Sequence, residues 1–262
     1  MNQLYLINAV AVLFLAAALV FVAIKGQSGK APASNAARPQ EYNTRIRMVI
    51  TLPSRITKLL SLSTDQQAQL QAISRRYESP LLSAEQEKNR AFAALPKVIM
   101  NPAVDEGAVK QRQGELVAAS AKRVQVISEM LIEMRKVLTS EQVNRVRPEL
   151  PIERNDLQLV VQLPEGFSAI GLTRDQESQV MAVVHSREPQ MIALSRKEKA
   201  NREALEQAIF SEPFNESAVN QRHAELVAVL NEQVALNTGI LLEARKILTA
   251  DQMKRLNVIT PE

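Results

Sequence analysis

The chain has 262 residues with a net charge of +4, only 3% aromatics, 7 glycines and no cysteine. That length leaves room for about two domains, the missing cysteines exclude disulfide and thiol chemistry, and no run alternates cleanly enough to suggest strands. Ala, Leu, Gln, Glu, Lys and Arg dominate, residues that favour helix, so the expected fold class is all-α.

The first element is an apolar run from Leu4 to Ile24, broken only by Asn8. Its 21 residues, at about 1.5 Å each, can cross a bilayer core. No Lys or Arg precedes it and it is long for a signal-peptide core. Ala31-Pro32-Ala33 has the small residues of a cleavage site but stands far from the run. An uncleaved transmembrane anchor over residues 1–25 is the expected reading.

Residues 26–48 form a basic linker, with a tether rich in Ser, Ala, Pro and Asn from Gln27 to Gln40. Lys25, Lys30, Arg38, Arg45 and Arg47 against Glu41 carry the whole excess of +4. The rest is therefore near neutral. A nucleic-acid binder places its basic face on the folded part, so nucleic acid is not an expected partner. A basic stretch beside an anchor suits anionic headgroups instead.

Beyond the linker one short pattern recurs four times. Its copies are Leu62-Ser63-Thr64-Asp65-Gln66, Leu138-Thr139-Ser140-Glu141-Gln142, Leu172-Thr173-Arg174-Asp175-Gln176 and Leu248-Thr249-Ala250-Asp251-Gln252. A Ser or Thr followed three residues later by Gln is a capping box: the hydroxyl accepts from a first-turn N–H, and the Gln side chain reaches back to the cap N–H. The acid before Gln suits the positive helix end, and the preceding Leu can staple the next turn. Taken singly these are four good helix starts. Their spacing adds more: the first and second copies are 76 residues apart, as are the third and fourth, and the first and third are 110 apart.

A shift of 110 aligns much else, including Gln111-Arg112 with Gln221-Arg222, Glu115–Ala118 with Glu225–Ala228, and Arg135-Lys136 with Arg245-Lys246. This implies a folding unit present twice, over residues 49–150 and 151–262. In each unit a capping box opens an amphipathic helix, with Leu70, Ile73, Tyr77 and Leu81 in one and Val180, Val183, Val184 and Met191 in the other. Pro80 and Pro189 are expected to kink or break these helices. Asn101-Pro102 and Ser211-Glu212-Pro213 mark the turn of a hairpin.

The returning helix carries Leu116, Ser120, Val124, Ile127, Leu131, Met134 and Leu138, repeated as Leu226, Leu230, Val234, Asn237, Leu241, Ala244 and Leu248. From Asp105 it runs for roughly 50 Å. Such a stripe must be buried against another helix, and one sister arm makes a thin core. The two hairpins are therefore expected to pair within one chain, as an intramolecular pseudo-dimer. The second box of each unit restarts a short terminal helix.

Twice per unit, flanking a long hairpin, the Leu-Thr-x-x-Gln pattern resembles the Spy/CpxP family of bacterial periplasmic proteins. Lys136–Gln142 and Lys246–Gln252 carry the resemblance most closely. The metal-resistance and metal-sensor proteins of the CnrX and ZraP type share the hairpin. The resemblance implies a periplasmic protein; the duplication and the membrane anchor depart from the family's pattern, and no enzymatic activity is expected. It would be an ATP-independent chaperone or envelope-stress modulator, binding unfolded or envelope proteins, a sensor kinase or an anti-sigma system on a helical cradle. The alternative it implies is a periplasmic heavy-metal sensor or resistance protein. A plain helical spacer is the third possibility. The positive-inside rule alone places the C-terminal part in the cytoplasm; the resemblance places it in the periplasm.

Candidate sites are few. No cofactor is expected, and no cysteine, Gly-rich phosphate loop or zinc motif is present, so there are no catalytic candidates. The carboxylates stand among Lys and Arg on amphipathic helices, as on a solvated face. His185 and His223 are the metal candidates, weakened because neither is repeated. Met181 and Glu188 share a helix face with His185, a soft ligand set in principle. Phe92, Ile99, Met100, Ile209, Phe210 and Phe214 are candidates for client binding; their competing role is to close the hairpin tips as core.

Overall fold

The structure, a computed structural model, describes residues 59–147 and 170–259. The expected anchor over 4–24, the basic linker and the unit boundary at 150–151 lie outside the described residues. Among those that are described, no helix is long and apolar enough to cross a membrane.

Six helices fall wholly within the described residues, and no strand does: α1 Thr64–Ile99, α2 Glu106–Val137, α3 Ser140–Val146, α4 Arg174–Ile209, α5 Glu216–Arg245 and α6 Ala250–Ile259. The fold is all-α. Helices α1 and α4 each have 36 residues, about 54 Å of rise. With α2 and α5 they form two antiparallel hairpins. Each hairpin has a tip, where the chain turns, and a foot, where the first helix starts and the short third helix ends.

The helix starts follow from their residues. Ser63, Thr139 and Thr173 cap α1, α3 and α4 with both bonds of the capping box made. Asp105 and Asn215 cap α2 and α5 after the tips, accepting from Gly107 N–H and Ala218 N–H. The expected break at proline does not occur. Helix α1 runs through Pro80 and Pro96, and α4 through Pro189. Proline costs one ladder bond and crowds the preceding turn. Pro80 and Pro189 are exposed, so water can satisfy the freed carbonyl while the opposite face stays packed.

Within each hairpin the arms are tied on their polar edges. Tyr77 donates to Glu133 at 2.9 Å, and Arg187 bonds Glu243 at the matching level. Burial and the neighbouring Glu133 carboxylate push the Tyr77 hydroxyl up to about 12.

The apolar residues form two clusters, and each takes residues from both hairpins. One joins Leu70, Leu131, Met134 and Val146 from the first foot to Leu205, Ile209, Phe210 and Leu226 from the second tip. The other joins Leu95, Ile99, Met100 and Leu116 from the first tip to Ile170, Val180, Leu248 and Met253 from the second foot. The stripe residues of α2 and α5 meet across this contact, since the two helices pack on each other. Removing a buried Leu from either cluster is expected to cost about 2–5 kcal/mol. Each cluster is completed by apolar residues of the other hairpin.

Candidate functional site

The twelve motif residues assemble at the two feet. Leu248 is buried, and Leu62, Leu138 and Leu172 pack against the clusters. The fourth box closes like the others, with Thr249 N–H donating to Gln252 Oε1 at 2.9 Å and Gln252 N–H to Thr249 Oγ1 at 3.3 Å.

The glutamines do more than cap. Gln66 Nε2 donates to Gln142 Oε1 at 2.7 Å, and Gln142 Nε2 returns the bond to Gln66 Oε1 at 3.0 Å. The second hydrogen of each amide goes to a backbone carbonyl, of Val137 and of Leu60. Each Oε1 also accepts from its own cap N–H. Both amides thus fill two donor and two acceptor positions. The second foot repeats the arrangement: Gln176 and Gln252 exchange bonds at 2.9 Å each and reach the carbonyls of Ile247 and Gly171. Each pair clasps the start of a long helix to the start of a short one. A capping role alone leaves these donors idle, and that surplus is the signal in the sequence from which the clasp could be predicted.

The chain enters each foot through a left-handed residue, Ser61 at φ 47° and Gly171 at φ 70°. Glycine adopts this conformation freely and serine does not.

Two arginines join foot to tip across the halves. Arg135 Nη2 donates to Ser211 O at 2.8 Å and to Glu212 at 2.9 Å, and its guanidinium stands 5.0 Å from the Phe214 ring centroid. Arg245 Nη2 donates to Asn101 O and Pro102 O at 2.9 and 2.8 Å. The sequence repeats Arg at these two positions, but gives it no role. A guanidinium suits such a junction because its planar fork serves several acceptors while its stem stays packed.

The client candidates are placed in the core. Ile99, Met100, Ile209 and Phe210 are buried, and Phe92 and Phe214 are packed against the same clusters. Of the two roles open to them, the structure shows the packing one: they share their clusters with residues of the opposite foot. Among the described residues the one exposed large hydrophobic side chain is Leu59, at 38%.

The histidines do not meet. His185 is exposed near the foot of α4, and His223 is half-buried near the tip of α5, its Nε2 without a protein hydrogen-bond partner. Cross-arm pairs Lys197–Glu232 and Arg187–Glu243 set the register of the hairpin. On that register the two histidines lie roughly 30 Å apart, too far to share an ion. Among the described residues no group of three or more His, Cys, Asp or Glu side chains could hold a metal ion.

A protein-family model described as heavy-metal resistance matches residues 8–145, from the apolar run to the end of the first hairpin. No curated protein and no solved structure matches the chain.

Proposed function

The chain belongs to the heavy-metal resistance family, and from that premise we propose that it is a membrane-anchored, periplasm-facing resistance protein that works by binding rather than catalysis. On this reading it is the Spy/CpxP-like module in tandem, a single-chain counterpart of a two-hairpin dimer. The family match over residues 8–145 carries the proposal, because it takes in the apolar run and the first hairpin together. The reciprocal foot-to-tip contacts support the pairing: each half supplies what the other's tip needs.

The mode of action follows from the described surface. Among the described residues no three His, Cys, Asp or Glu side chains group together, and the partner this reading takes is a protein of the envelope or of a metal-response system. Holding of non-native clients has no open apolar surface among the described residues and would require the hairpins to part.

The test is metal tolerance. A strain lacking the gene should grow more poorly in nickel, cobalt, zinc or copper salts, and the full chain should restore growth. Unchanged tolerance to all four would overturn the proposal. Calorimetric titration separates binding from partnership: submicromolar metal affinity lost in His185→Ala or His223→Ala would favour direct sensing instead.

A further inference from the structure

Helix α4 is less well covered than its counterpart α1. Ile73, Leu81 and Ala84 share one face of α1 and are 5%, 1% and 0% exposed. Under the 110-residue shift they correspond to Val183, Met191 and Leu194, which are half-buried and belong to neither apolar cluster. Their sister arm covers them thinly, because α5 is polar or small where α2 is bulky: Asn237 stands for Ile127, and Ala244 for Met134. The cross-arm bonds Arg187–Glu243 and Lys197–Glu232 put Gly239 level with Met191. A glycine inside a helix costs stability relative to alanine, and a Cβ at Gly239 would meet nothing within 4 Å. Space is thus left open beside the strip, where another backbone can come close.

One stretch of this chain has its two ends at the two ends of α4. Residue 147 follows Val146, which shares a cluster with Leu205 and Ile209 at the far end of α4. Ile170 stands at the near end, in a cluster with Val180. The 22 residues between them, 148–169, therefore have to bridge about the length of α4, whose 36 residues rise roughly 54 Å. Wound as one helix they would reach roughly 35 Å and fall short; extended, they reach roughly 75 Å. They carry Leu159, Val161 and Leu163, three apolar residues at alternate positions, and Pro164 biases Leu163 towards extended backbone.

We propose that this connector docks on the strip, with Leu163 over Val183, Val161 over Met191 and Leu159 over Leu194. Extended residues two apart face the same side. Counted back from Ile170, Leu163, Val161 and Leu159 are 7, 9 and 11 residues away, roughly 23, 30 and 36 Å at the rise of a strand. Counted forward, Val183, Met191 and Leu194 are 13, 21 and 24 residues away, roughly 20, 31 and 36 Å at the rise of a helix. The two series match. The connector is tied to both ends of α4, not of α1, and it is α4 whose strip is left uncovered. The second hairpin is then completed from within the chain, and its half-buried strip is no surface for clients.

The inference rests on the single-chain pairing proposed above, and cross-linking of the full chain, purified in detergent, tests it. The chain has no cysteine, so Val161→Cys with Met191→Cys supplies the two thiols for a short bis-maleimide. The control is Val161→Cys with Gln86→Cys, on the exposed side of α1. Linkage within one chain should be faster for the first pair by roughly tenfold, because docking holds its thiols at high effective concentration. Should that variant fail to fold, Leu159→Cys with Leu194→Cys reads the same register. Equal rates for the α4 and α1 pairs would overturn the inference. So would linkage found only between two chains, which would give the strip to a second copy. Either result leaves the hairpin pairing standing, which is read separately from tip-to-foot distances.

Discussion

Replacing Gln142 by Ala separates the clasp from the cap. In the native chain its amide takes part in four hydrogen bonds, to Thr139 N, Leu60 O and, twice, Gln66. The variant leaves Thr139 N–H and Leu60 O without these bonds and takes one of two partners from each function of the Gln66 amide, which keeps Val137 O and Ser63 N–H. At about 1 kcal/mol per bond, discounted because water reaches part of the site, the loss is expected to be about 2–4 kcal/mol. Thr139→Ala removes only the bond to Gln142 N and should cost about 1 kcal/mol. Urea unfolding followed by circular dichroism measures both. Gln66→Ala with Gln142→Ala should cost less than the two single losses added, because the two reciprocal bonds are shared. Equal losses for Gln142→Ala and Thr139→Ala, or additivity in the double variant, would refute the reasoning.

Arg135→Ala should destabilise more than Arg245→Ala, by about 1 kcal/mol, because only Arg135 adds an ion pair and a ring contact to its carbonyl bond; paired melting curves check the order. Ser61→Gly should raise stability by about 0.5–1 kcal/mol, and Gly171→Ala should lower it by a similar amount, since both positions are left-handed. Tyr77 should ionise well above the ordinary tyrosine range in a spectrophotometric titration, in a transition absent from Tyr77→Phe. Its folded pKa, raised to about 12 from 10.0, means stability present below pH 10 and lost as pH rises towards 12. Tyr77→Phe should flatten that loss. Acid acts oppositely on Glu85. Burial alone would raise its carboxyl, but the Lys88 bond and the Arg123 charge hold it below the usual carboxylate range. Glu85→Gln should therefore remove a loss of stability seen as pH falls through that carboxyl's folded pKa.

Much of the fold is legible in the sequence because it rests on local rules. Capping boxes name their own helix starts, and the stripe from Leu116 to Leu138 shows a face that needs covering. The helices do not break at their prolines because Pro80 and Pro189 lie on the exposed side of long packed helices, where water can take the freed carbonyl. The two roles of the tip residues stay open in the sequence because periodicity shows that Ile99 and Phe210 are apolar, not what lies over them. That depends on the other hairpin, 110 residues away. For the same reason Arg135 and Arg245 stand out in the sequence as a repeat without a role, and the second donor of each motif glutamine has no visible acceptor there. The buried Arg123 and Glu198 are hidden among the many charged residues of solvated faces; only packing distinguishes them.

The claim on which the rest depends is that each hairpin's tip is seated on the other's foot. The chain has no cysteine, so two spin labels can be placed cleanly, at Ala103→Cys on the first tip and Lys246→Cys on the second foot, with Ala103→Cys and Lys136→Cys as the within-hairpin reference. Pulsed dipolar spectroscopy should give a single short distance for the first pair, under half the roughly 48 Å that the 32 residues of α2 put between the reference labels. A distance for the first pair as long as the reference, or a broad spread without a peak, would contradict the account.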